Sequence, residues 1–110
     1  MNLETLTERS MELRKRFADV AQQRGQREWS REEVMQGFVG DVGDLMKLVM
    51  AKEGLRSADD VDKRIAHELA DCLWSVLVLA RLYDVDLQTE YLRMLGDVTK
   101  KLETPNAKAA

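Results

Sequence analysis

A single cysteine, Cys72, leaves no internal disulfide to form, so nothing covalent staples the fold. In the apolar stretch "LADCLWS" it reads as a small core residue rather than a reactive thiol. A single histidine, His67, excludes the paired E-x-x-H motifs of a ferritin-like di-metal bundle. One proline and a scarcity of β-branched runs argue against sheet and leave room for long helices. There is no basic block, and the net charge is −3, which argues against polymeric nucleic acid as a partner. The longest strongly apolar run, "LADCLWSVLVLA", is 12 residues long and broken by Asp71, whereas a membrane span needs about 20. The start "MNLETLTERS" has neither the basic nor the apolar region of a secretory leader. A cytoplasmic protein that does not enter the membrane is the expectation.

What remains is a chain of 110 residues, 45% hydrophobic and 34% charged, which fits one mostly helical domain. Four helices are predicted. The first covers 3–24, where Leu6, Leu13, Phe17 and Val20 keep helical spacing and Ser10 fills a gap in the stripe. "RGQREW" interrupts it. Ser30 with Glu33 is a capping-box pair, so a second helix starts at Arg31 and runs to about Glu53, ending at Gly54. After "LRSADD" a third helix covers about 60–82. Asp86 then caps a fourth over about 87–102, with Tyr91, Leu95, Val98 and Leu102 on one face. The domain is thus 1–102, and 103–110 reads as a flexible tail. Long helices and short links predict an antiparallel four-helix bundle.

One feature breaks the pattern. On a helical wheel Val34, Phe38, Asp41 and Leu45 share one narrow stripe, and Asp44 lies on its flank. Val61, Ile65, Glu68 and Cys72 form the same stripe on the third helix, with Asp71 on the same flank. The patterns superpose with one offset of 27 residues, Asp41 onto Glu68 and Asp44 onto Asp71. An antiparallel pair of helices would make the four carboxylates converge. Uncompensated, they would repel one another at a cost of several kcal/mol. A hard divalent cation resolves this. Mg²⁺ takes oxygen ligands and keeps some of its waters, and Mn²⁺ would also suit the site. Set against this, charged residues at i, i+3 are often simply solvated. Solvation accounts for the flanking Asp44 and Asp71 as well as a metal does, and less well for Asp41 and Glu68 inside the stripe.

"GDVGDL", then "ELADCLWSVLVLA", then "DVDL" resembles the MazG-like all-α nucleotide pyrophosphohydrolases over roughly residues 29–102. The family pattern is E-E-x-x-E followed by E-x-x-D. Asp41 and Asp44 stand where its second and last glutamates of the first motif fall, and Glu68 and Asp71 match the second motif. Gly40 replaces the first glutamate, as in the dCTP-pyrophosphatase-like branch with its G-E-V-G-E. The resemblance implies a four-helix bundle completed by homodimer or homotetramer formation. It implies Mg²⁺ on Asp41, Asp44, Glu68 and Asp71, and hydrolysis of a nucleoside triphosphate to the monophosphate and pyrophosphate. Asp41 or Asp44 would accept the proton of the attacking water. Two glutamates have become aspartates, which draws the metal towards the second helix or the helices towards each other. Gly40 and Gly43 are expected to permit that approach. The K…N…K-Y-P pattern that follows in that branch is replaced here by Met94, Asp97 and Lys100 without "YP".

Further candidates carry a plainer reading beside the functional one. Arg64 reaches a phosphate or pairs with Asp60. Lys47 is expected in solvent. Lys100 contacts a phosphate or only complements the helix dipole. Trp29, at a hydrophobic-staple position, and Trp74 stack on a base or pack between helices. Met35, Met46 and Met50 are core or interface filler. Helix three carries Leu69, Leu73, Leu77 and Ala80 beyond its stripe, which favours self-association. Two rivals stand: a phosphoribosyl-ATP-type pyrophosphohydrolase of the same fold, and a non-enzymatic helical interaction module with a degenerate site.

Overall fold

The structure, a computed structural model, describes residues 1–103. Among them it is all-helical, with no strand: α1 Leu3–Gln23, α2 Arg31–Lys52, α3 Val61–Leu82 and α4 Leu87–Glu103. No helix of the described residues is long and apolar enough to cross a membrane. Glu103, expected in the tail, closes α4; the rest of the predicted tail lies outside the described residues.

The helix ends follow local chemistry. Asn2 caps α1 by accepting from the Thr5 amide at 2.9 Å. At α2 the capping box forms in full: Ser30 Oγ accepts from the Glu33 amide, and the Glu33 carboxylate accepts from the Ser30 amide. Arg27 also donates to that carboxylate, and these bonds lower the Glu33 pKa to about 2, with the Arg27 bond the largest cause. Asp86 caps α4 by accepting from the Thr89 amide at 3.1 Å. The first three helices end alike. Gly25, Gly54 and Asp84 take positive φ just past the C-caps, and the next residue's amide bonds back to Ala21, Met50 and Ala80 at 2.7, 2.8 and 2.8 Å. This is the Schellman closure, which glycine enters freely and aspartate tolerates.

α2 and α3 form an antiparallel hairpin. Arg31, at the start of α2, lies 4.6 Å over the Tyr83 ring past the end of α3. Lys52, at the other end, pairs with Asp62 at 2.7 Å. α1 also runs antiparallel to α3: Glu4 pairs with Arg81 at 2.7 Å, and the Trp74 indole donates to the Ser10 carbonyl at 3.2 Å. Phe17 meets Trp74 edge-on, with centroids 5.9 Å apart. The core lies where the three helices meet. Val34, Leu48, Leu77 and Val78 are buried, with Val78 fully so. Buried Thr7 satisfies its hydroxyl on the Leu3 carbonyl at 2.8 Å.

Three sequence expectations change here. The main helix–helix contacts are α2 with α3 and α1 with α3, so α4 is not a packed fourth member of the bundle. It has no buried residue, and Tyr91, Leu95 and Leu102 of its apolar face are exposed. Its first residues, Leu87 to Thr89, line a groove with the start of α1 and the end of α3, and the rest of the helix leaves the core open on that side. Most of the α1 stripe is also open: Leu13, Phe17 and Val20 are exposed. Of the two readings of Met35, Met46 and Met50, core falls away and interface filler is left, since all three are exposed within the chain. The radius of gyration of 17.7 Å exceeds the roughly 13 Å of a compact chain this long.

Candidate metal and phosphate site

Midway along the hairpin the apolar stripes of α2 and α3 are interrupted at the same level. There Asp41, Asp44 and Glu68 each present a carboxylate oxygen, and these oxygens lie within 4.8 Å of one another. Asp41 and Glu68 are half-buried because they occupy stripe positions, whereas Asp44 is exposed on the flank. The Glu68 Oε2 atom is buried and has no hydrogen-bond partner. Burial first, and then the neighbouring Asp71 and Asp44, push the Asp41 pKa up. Burial, followed by Asp41, Asp71 and Asp44, does the same for Glu68. Both shifts express one physical fact: negative charge is crowded here with too little water to solvate it.

Asp71, the fourth predicted ligand, lies close enough to contribute to both shifts but is not one of the three converging groups. Its Oδ2 lies 3.2 Å from His67 Nε2, one turn back on the same helix. His67 itself is on the surface, as its wheel position indicates. Cys72 is half-buried, and burial, then Asp41, Glu68 and Asp71, raises its thiol pKa, so it is an uncharged packing group.

The glycines do not act as the sequence suggested. A Cβ placed on Gly40 or Gly43 would meet nothing within 4 Å, so neither lets α3 come closer. Both point away from the hairpin contact. The glycine that does allow a close approach is Gly37, where a Cβ would fall 2.8 Å from Trp29 Cζ3.

Beside the carboxylates opens a cleft of about 440 Å³. Asp44 and Glu68 line it together with Lys47, Arg56 and Arg64. Arg64 donates to the Asp59 carbonyl at 3.4 Å, with no ion pair to Asp60. Lys47, expected in bulk solvent, reaches the cleft because it is one turn from Asp44 and its stem is long. That spacing was a signal in the sequence. Arg56 had none, because its place depends on the path of the loop between α2 and α3.

Trp29 and Trp74 line a second pocket of about 330 Å³ with Phe17 and Val34. Arg14 anchors its wall by donating to the Trp29 carbonyl at 2.8 Å and pairing with Glu28 at 2.7 Å. Val34 and Asp41 are seven residues apart on α2, so pocket and carboxylates are about 10 Å apart along the helix. Lys100, on α4, lines neither cavity.

Three carboxylates, oxygen donors only, with one buried oxygen lacking a partner, fit a hard divalent cation and not a soft one. No protein-family model matches the chain, and no curated protein or solved structure matches it significantly.

Proposed function

We propose that the protein is a Mg²⁺-dependent nucleoside triphosphate pyrophosphohydrolase. The observation that carries this reading is the cleft in which Asp44 and Glu68, two members of the carboxylate cluster, face Lys47, Arg56 and Arg64. A cation seat beside fixed positive side chains is what a polyphosphate chain requires, since its charge must be offset from several sides. The MazG-like resemblance of "GDVGDL" and "ELADCLW" supports the same reading.

Asp41, Asp44 and Glu68 would hold Mg²⁺, with Mn²⁺ as a substitute, and Asp71 would complete the set from its place beside His67. Bound there, the ion supplies positive charge against the phosphates and makes water a better nucleophile. Lys47, Arg56 and Arg64 would hold the β- and γ-phosphates. Water attacks the α-phosphorus, the α–β anhydride bond breaks, and pyrophosphate leaves from the cationic side. Asp41 or Asp44 takes the proton from the attacking water. The base would lie in the apolar pocket between Trp29 and Trp74, where a flat ring can be covered on its faces. A homo-oligomer acting on soluble nucleotides in the cytoplasm completes the reading.

The test is pyrophosphate release from each deoxy- and ribonucleoside triphosphate, and from phosphoribosyl-ATP, with Mg²⁺. Turnover that Glu68→Gln and Asp41→Asn both abolish is expected. No turnover of any nucleotide at high protein concentration would leave the interaction module as the better account. Turnover of phosphoribosyl-ATP alone would move the substrate to the rival of the same fold.

A further inference from the structure

The main packing partner of α1, and of α2, is α3. The space left between α1 and α2 is the apolar pocket of about 330 Å³, with Trp74 of α3 on its wall and residues 26–29 of the connecting segment across it. That segment is exposed and belongs to no helix. A segment so placed has few main-chain bonds and little buried surface to hold it. The Gln26 amide returns to the Ala21 carbonyl at 2.7 Å, which fixes only the first of these residues. Arg27 reaches forward to Glu33, within the same stretch of chain.

Arg14 holds the rest. Its Nη2 donates to the Trp29 carbonyl at 2.8 Å, and its Nη1 lies 2.7 Å from Glu28 Oε1. Two nitrogens of one planar group thus grip two consecutive residues, which sets the orientation of the segment as well as its place. Among the described residues no other side chain of α1 is bonded to residues 26–29. The arrangement is not the one that packing alone would choose. The Arg14 side chain is only 17% exposed, and its Nε is buried with no partner. A buried donor left unbonded destabilises the fold. What the chain gains is an open pocket. Without the tie, the hydrophobic effect would draw the Trp29 ring down onto Phe17 and Trp74. With it, the ring rests against Gly37 on α2, where a Cβ would fall 2.8 Å from Trp29 Cζ3.

We infer, resting on the placement of the base in this pocket, that Arg14 is a positioning residue for the flat ring of the substrate. It holds residues 26–29 as a fixed wall and keeps the gap between Trp29 and Trp74 open before the ring arrives. A wall set in advance spares the ligand the cost of ordering it. Arg14 lines this pocket but not the cationic cleft, so its effect falls on binding and not on the chemical step.

Pyrophosphate release by the full chain gives KM and kcat. Where a nucleoside triphosphate binds without turnover, quenching of tryptophan emission gives Kd in place of KM. Arg14→Gln is expected to raise KM or Kd about tenfold or more and to leave kcat within about twofold. Arg14→Lys keeps the charge but not the fork and is expected to recover part of the loss. Lys15→Gln, at the exposed neighbouring position on α1, is expected to change neither constant. In a Trp74→Phe background Trp29 is the one tryptophan left, and Arg14→Gln is expected to lower its emission anisotropy in the ligand-free protein. Should Arg14→Gln lose helicity by circular dichroism, Glu28→Gln, which cuts one tie at an exposed residue, replaces it, and a smaller rise in KM or Kd is expected. Unchanged KM or Kd in the folded variant overturns the inference and leaves the pyrophosphohydrolase reading standing, as does a loss of kcat at constant KM or an unchanged anisotropy. Binding without turnover overturns the enzyme reading alone, and the Kd values then decide the role of Arg14. A native protein that binds no nucleoside triphosphate overturns both.

Discussion

Replacing Glu68 by glutamine should make the metal-free protein more stable, although it removes a charged residue at a candidate site. Glu68 sits within 4.8 Å of the Asp41 and Asp44 oxygens, and its Oε2 has no hydrogen-bond partner. At that separation each like charge costs about 1 kcal/mol for an effective dielectric of about 60, between protein surface and bulk water. Half-exposure and salt trim the two terms to about 1–2 kcal/mol together. In EDTA the variant should therefore melt about 4–8 °C higher than the native chain. Saturating Mg²⁺ reverses the balance. An ion bound with a millimolar constant and supplied at tenfold excess stabilises by about 1.4 kcal/mol. The native chain should gain that, and the variant little of it, so the two melting curves converge or cross. The pH dependence has a definite sign. The folded-state Glu68 pKa is raised above 4.5, so its contribution to stability is intact below 4.5 and is lost as pH rises through the raised value. The advantage of Glu68→Gln should thus be small near pH 4 and complete at neutral pH. Differential scanning fluorimetry across pH, with and without Mg²⁺, measures all of this. A variant that is less stable in EDTA at neutral pH, or that keeps the full Mg²⁺ response, would refute the reasoning.

Three further substitutions test the scaffold. Ser30→Ala removes half of the capping box and should cost about 1 kcal/mol, seen as a lower urea midpoint with an unchanged slope. Gly40→Ala should stabilise by up to about 1 kcal/mol, since helix propensity rises and no neighbour is met. Gly37→Ala should forfeit that gain by displacing the Trp29 ring, with a red shift in tryptophan emission. Equal stabilisation by both alanines with unchanged emission would show that Trp29 does not rest on Gly37.

The helices, their starts and stops, and the interruption of two apolar stripes by acids are written in the order of the residues. Those are local matters. Ser30 and Glu33, three residues apart, close the capping box on each other's amides, Gly54 needs only a turn, and a wheel places Asp41 in line with Val34 whatever surrounds the helix. Tertiary structure alone decided what those helices do together. The turn and register of α3 against α2 bring Glu68 to Asp41 and Asp44 and leave Asp71 with His67. The path of the α2–α3 loop delivers Arg56 to the cleft beside Lys47. The packing of α1 and α2 on α3 leaves the apolar face of α4 and the Met35–Met46 face of α2 bare. A 3.6-residue period says which side chains share a face, but it carries no information about which of two apolar faces the chain itself will cover. That choice is made by shape and volume between helices, where no single segment holds the answer.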